Sequence, residues 1–239
     1  MKRLFAFITL VLASMSMAGA EYSDKQLYEG YLTNDFSLWT AYINNTDWST
    51  LNTEERMRYI NYEYGYVPFM ADQKNPNARR YLDQYKAHLE EEKCHMTEAQ
   101  YTAYLCAANA YEYLLDKKKL FSAGLQSFKL AKKAVELDDN NPIGLLLKAN
   151  VNFHAPKGFG GNKEEALRLF LKAEKIMRQE GTWRYLWNYP ALQLCIAQCY
   201  EELGEKEKAI SKCESILQEH PKFNYVRNTY LPALRAKKK

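Results

Sequence analysis

The sequence has no alternating run of apolar and polar residues long enough for a half-buried strand, so helical periodicity is left as its organising signal. It also lacks the arrangements on which common chemistries depend. The four histidines, His88, His95, His154 and His220, form no H-E-x-x-H and no pair four residues apart, and no serine stands in G-x-S-x-G. No Cys-x-x-Cys or His-Cys spacing suits zinc, and the acids between His88 and His95 read as the solvated face of a helix. The stretch Gly158-Phe159-Gly160-Gly161 follows a helix and lacks the G-x-x-x-x-G-K-[ST] spacing of a phosphate loop. Neither sign of charge dominates: 33 basic side chains face 29 acidic ones, and the one biased cluster is the tail Arg235-Ala236-Lys237-Lys238-Lys239. These absences argue against an enzyme, a bound metal or cofactor, and a nucleic-acid partner.

What is present begins with an address. Lys2 and Arg3 precede an apolar run from Leu4 to Met17, and Ala18-Gly19-Ala20 has the small-x-small form of a signal-peptidase site. The apolar run falls short of the ~20 residues that span a bilayer. Residue 21 is Glu and not Cys, which argues against a lipid anchor. The reading is a signal peptide over 1–20 and a periplasmic or secreted protein with no membrane insertion after cleavage, a single helical domain over 21–239. Five cysteines, Cys94, Cys106, Cys195, Cys199 and Cys213, would then be exported, and an odd number leaves at least one unpaired. Cys195 and Cys199 lie one turn apart on one helix with Cys213 on its partner, so either Cys199 bridges Cys213 or all are small buried apolar residues.

The periodic segments come in pairs. Residues 22–48 read as a short helical pair capping the first end of an array, which needs such a cap because its first unit has no neighbour. Thr53, followed by Glu54 and Glu55, opens a helix with Pro68 near its end, and 78–92 returns. Thr97 opens the next pair, completed by 122–137. Helices over 143–153 and 163–179 follow, separated by a loop that Asn162 closes as the cap of the second helix. The last pair, 190–203 and 206–219, is divided by Gly204, and 224–236 adds a short final helix. Small residues recur where paired helices must approach closely: Ala108, Ala134, Ala149, Ala166, Ala173, Ala197 and Ala209.

The spacing of Ala166, Phe170 and Ala173, the run Ala134 to Pro142 (AVELDDNNP), and the placement of Ile196, Ala197, Tyr200, Ala209 and Pro221 resemble the tetratricopeptide repeat family. The best repeats are about 101–139, 142–178 and 190–223. Gln193 and Cys213 stand where that pattern has large apolar or aromatic residues. The turn from Pro156 through Gly160-Gly161-Asn162 is similar to that of exported repeat proteins of Gram-negative bacteria. The resemblance implies an all-α superhelical array of helical hairpins that binds a partner protein or peptide in a concave groove lined by the first helix of each repeat.

Three amides would lie in that groove, Asn109, Asn150 and Gln198, each just after a small contact residue. One turn on come Glu112 and Tyr113, then Phe153 and His154, then Glu201 and Glu202. A row of amides suits an extended peptide backbone, and the acids favour a neutral or basic segment. The places that hold Lys and Arg in chaperone-binding members are Leu105, Ala191 and Cys195, so no carboxylate clamp is expected there. An alternative is a small-ligand or glycan receptor with a tyrosine-rich lining, because fourteen of the nineteen tyrosines lie between Tyr22 and Tyr113.

Overall fold

The computed structural model describes residues 22–181 and 184–237, and among them there are helices and no strands. The expected signal segment 1–20 and residues 182–183 of the link before the last pair lie outside the described residues. The α-helices are α1 (Asp24–Thr33), α2 (Ser37–Asn45), α3 (Thr53–Asp72), α4 (Ala78–Glu91), α5 (Glu98–Leu115) and α6 (Leu120–Leu137). They continue with α7 (Pro142–His154), α8 (Lys163–Glu180), α9 (Asn188–Glu202), α10 (Lys206–Glu219) and α11 (Leu231–Ala236).

Local chemistry sets the starts. Thr97 and Gln100 exchange side-chain and backbone hydrogen bonds in a capping box before α5, and Ser23 with Gln26 does the same before α1. Before α3 the box is made by Asn52 and Glu55, so the cap lies one residue ahead of the expected Thr53. Asn162 accepts from the Glu165 amide at 2.9 Å and starts α8 as expected. Asn141 caps α7, with Pro142 in the first turn where its missing N–H is harmless.

Helices adjacent in the chain are adjacent in space: α3 packs on α4, α5 on α6, α7 on α8 and α9 on α10, while α5 also lies against α3 and α7. The alanines sit at those contacts. Ala108, Ala134, Ala149, Ala166, Ala173, Ala197 and Ala209 are all fully buried, and large side chains such as Phe170, Ile196 and Ile216 fill the space beside them.

The first helix departs from the expected terminal cap. α2 does sit on the first end, where Trp39, Tyr42 and Ile43 join the core of α3. α1 instead bridges two cores: Leu27 belongs to the large one, and Leu32 packs with Ala197, Ala209, Cys213 and Ile216 of the last pair. Three polar contacts fasten it there. Tyr28 Oη donates to Nδ1 of His220 at 2.6 Å, Asn224 Nδ2 donates to the Thr33 carbonyl at 3.0 Å, and Lys222 pairs with Glu29 at 3.1 Å. α1 carries apolar residues on two faces, so it is buried between two neighbours.

The link before α9 drops Trp187 into the interior this arrangement encloses. Its indole N–H donates to the Asn61 carbonyl at 3.3 Å, and its ring lies 5.5 Å from those of Trp39 and Tyr64. Gly65 makes room for it. A Cβ on Gly65 would come within 2.7 Å of the Trp187 ring and 2.9 Å of Trp39.

Candidate functional site

The nine residues expected to line the groove are partly engaged with their own neighbours. Glu112 meets Lys119, Lys86 and Arg79 at 2.7, 2.8 and 2.9 Å; against the desolvation that opposes them, these cations hold its carboxyl down at about 2. Tyr113 carries the Lys117 ammonium over its ring at 4.4 Å. Asn109 donates to the Leu105 carbonyl of its own helix at 2.9 Å, and Asn150 accepts a long contact from the Cys195 thiol at 3.9 Å. Phe153 lies under the Lys163 ammonium, and His154 packs edge-on against the Phe153 ring. Glu201 accepts from Tyr230 at 2.7 Å and pairs with Lys237, and Glu202 lies 3.8 Å from Lys163. Gln198 is half-buried, and its side chain makes no hydrogen bond among the described residues.

A cavity of about 340 Å³ opens elsewhere, between α3, α5, the start of α7 and the link that leads into α9. Met57, Arg58, Asn61 and Tyr62 contribute one wall from successive turns of α3, and Tyr104 and Ile143 another. Arg184, Tyr185, Leu186 and Asn188 close it, and Asp24 of α1 stands at its edge. Two amides from distant parts of the chain meet in its wall, where Asn61 Nδ2 donates to Asn188 Oδ1 at 2.9 Å. The other amide end, Asn188 Nδ2, is buried and has no hydrogen-bond partner among the described residues, and the Arg58 guanidinium faces the buried Tyr42 hydroxyl. Asn188 is only 1% exposed, which makes its idle donor unusual, since buried polar groups are nearly always paired. Tyr185 is held at φ 54°, a left-handed conformation rare for an aromatic residue, and its ring is half exposed beside Tyr28.

Sequence reasoning missed this cavity. The sequence carries one signal of it, the run of polar and aromatic residues from Arg184 to Tyr189 between two well-patterned helices.

Gln193, which broke the repeat pattern, is fully buried because it belongs to a polar network. Its Nε2 donates to Glu219 at 2.8 Å and Glu174 at 3.1 Å, and its Oε1 lies 2.8 Å from Nε2 of His220. Cys213 is likewise buried as a small apolar residue, and all five cysteines are free, so Cys199 and Cys213 form no bridge. Burial pushes the thiols of Cys106, Cys195, Cys199 and Cys213 up to about 12, which keeps them protonated and unreactive.

Most first-half tyrosines are core residues; the hydroxyls of Tyr59, Tyr85 and Tyr111 reach the carbonyls of Ile43, Tyr104 and Tyr64, and those of Tyr62, Tyr66, Tyr81 and Tyr104 reach side chains. Only Tyr62 and Tyr104 of that half line the cavity. The loop before α8 is a tight inter-helix turn, in which the Asn162 amide donates to the Asn152 carbonyl at 2.9 Å and Gly160 stands at φ 89°. Among the described residues no group of three His, Cys, Asp or Glu is placed to hold a metal ion, and no helix is long and apolar enough to cross a membrane.

Compared with known proteins, the chain matches no family model, no curated protein and no solved structure.

Proposed function

We propose that this is an exported, non-catalytic binding protein of tetratricopeptide-like build, whose ligand is received in the cavity between α3 and the link into α9. The observation that carries the reading is the cavity of about 340 Å³ between α3, α5 and the link, with the paired amides of Asn61 and Asn188 in its wall. Its volume of about 340 Å³ falls within the range of small-molecule sites, and its walls mix polar and aromatic side chains. Export rests on the Lys2-Arg3 start, the apolar run and the Ala18-Gly19-Ala20 site, and mass spectrometry of the protein from its host should find Glu21 as the first residue.

Thermal unfolding in a panel of amino acids, neutral and acidic monosaccharides and tripeptides tests the cavity. A ligand at one hundred times its Kd adds about 2.7 kcal/mol of stability. At least one compound should raise the midpoint of the wild type and raise it less in Asn188→Ala. If none does, or if the shift survives the substitution, the cavity is not the site.

A second reading is the interaction scaffold, with a peptide or protein segment along Asn109, Asn150 and Gln198. Its support is the stacking of α5 between α3 and α7, which sets first helices side by side, together with the idle side chain of Gln198. Asn109→Ala with Asn150→Ala should then weaken a captured partner by about 1–3 kcal/mol without changing stability.

A further inference from the structure

We infer that the cavity receives a neutral sugar residue, laid against the Tyr185 ring and held at its hydroxyls by the Asp24–Arg58 pair. The inference rests on the binding role proposed above and names the ligand class for that same cavity. It follows from which wall groups a ligand can reach. Asn61, Tyr62, Tyr104 and Asn188 are nearly sealed, so they shape the floor and offer little to a ligand. The groups with open surface stand at the mouth. They are Tyr185, with its ring half exposed, and the side chains of Asp24 and Arg58, which are 46% and 39% exposed. Arg58 Nη1 lies 3.5 Å from one oxygen of Asp24, and the other oxygen accepts from Tyr62 at 3.2 Å. The guanidinium also faces the Tyr42 hydroxyl, so the pair is anchored from the protein side.

Opposite charges set side by side favour neither a cation nor an anion. They present a donor next to an acceptor, and a hydroxyl is the group that accepts and donates at once. Two hydroxyls on adjacent carbons bridge such a pair without parting it, whereas an amino-acid zwitterion would have to pull it open. Arg184, the other cation of the lining, already has an interaction of its own. Tyr185 supplies the apolar half of the recognition. Its φ of 54° would suit glycine better, so the fold holds an aromatic ring at the mouth against the preference of its backbone. That ring meets Tyr28 at 5.9 Å and 76° and keeps half its surface open. Its electron-rich face suits the weakly positive C–H groups along one side of a sugar ring. Met57, Ile143 and Leu186 add aliphatic surface for the carbon skeleton, and about 340 Å³ lies at the lower end of small-ligand sites, where a monosaccharide unit belongs.

A free sugar and the end of a glycan chain present the same chemistry, and the choice of probes distinguishes them. The full mature chain is titrated by calorimetry with the methyl glycosides of glucose, galactose and mannose, with cellobiose, lactose and maltose, and with glucuronate and leucine as charged comparators. At least one neutral sugar should bind more tightly than either charged compound. Binding by a methyl glycoside identifies a free sugar, and binding by disaccharides alone the end of a chain. Tyr185→Gly suits the left-handed backbone, so it should hold or raise the unfolding midpoint while sugar affinity falls about threefold to tenfold, the worth of an aromatic contact. Tyr185→Phe keeps the ring and should bind as the wild type does. Asp24→Ala should lose about tenfold or more, the range of a hydrogen bond to a charged group, and serves if Tyr185→Gly fails to fold. Leucine or glucuronate binding more tightly than every neutral sugar, in a manner sensitive to Tyr185→Gly or Asp24→Ala, overturns the sugar assignment and leaves the binding role standing. Sugar affinity unchanged in both variants overturns the assignment as well, and no binding by any probe overturns both.

Discussion

The hydroxyl of Tyr111 donates to the carbonyl of Tyr64 at 2.7 Å, and Tyr64 stands four residues before Pro68. That carbonyl is the one a helical N–H at position 68 would have taken, and proline has none. A side chain from α5 thus supplies the missing partner inside α3, which lets the helix run past Pro68 to Asp72. Tyr111→Phe keeps the ring and removes only the hydroxyl. It should destabilise the fold by about 1–3 kcal/mol, the cost of an orphaned buried acceptor, as read by urea unfolding. A variant as stable as the wild type would show that Tyr64 finds another donor.

His220 makes the attachment of α1 sensitive to acid. Gln193 turns its amino group to Glu219 and Glu174, so its oxygen faces His220 Nε2, which must carry the proton, and Nδ1 accepts from Tyr28. Burial, joined by the charges of Arg178 and Lys212 and opposed by Glu219, lowers the pKa of His220 below its ordinary 6.5. The unfolded chain therefore takes up this proton first, and the stability due to neutral His220 is present above that value and lost as pH falls below it. His220→Gln lacks the titration. The stability difference between wild type and variant should shrink between neutral pH and mildly acid pH, and a constant difference would contradict the account.

How much of this was legible in the sequence depended on range. The caps at Thr97 and Asn162 and the alanine contacts from Ala108 to Ala209 are written within one or two turns, where period and side-chain chemistry suffice. Pro68 stands near the end of its helix, as expected, but how α3 runs past it was not legible because the hydroxyl that takes the spare carbonyl lies on α5. Gln193 looked like a flaw in a repeat because its partners sit on α8 and at the end of α10, and α1 looked like a simple cap because its return to His220 spans nearly the whole chain. The cavity was hidden for the same reason: Asn61 and Asn188 are unremarkable until the fold sets them 2.9 Å apart.

Gly65 is the tightest test of the enclosed aromatic interior. Gly65→Ala places a methyl group 2.7 Å from the Trp187 ring, and that ring is boxed in by Trp39 and Tyr64. Overpacking of this kind should cost about 1–3 kcal/mol despite the better helix propensity of alanine. An unchanged or raised unfolding midpoint would mean that the indole moves aside freely.

The most direct test of the central claim is a titration followed by the side-chain amide and indole resonances of the labelled protein. The titrant is whichever panel compound raises the melting temperature. Binding in the cavity should shift the NH2 pairs of Asn188 and Asn61 together with the Trp187 indole N–H, whose acceptor is the Asn61 carbonyl, and should leave Asn109, Asn150 and Gln198 in place. Shifts confined to Asn109, Asn150 and Gln198 would contradict the account and move the site to the helical groove.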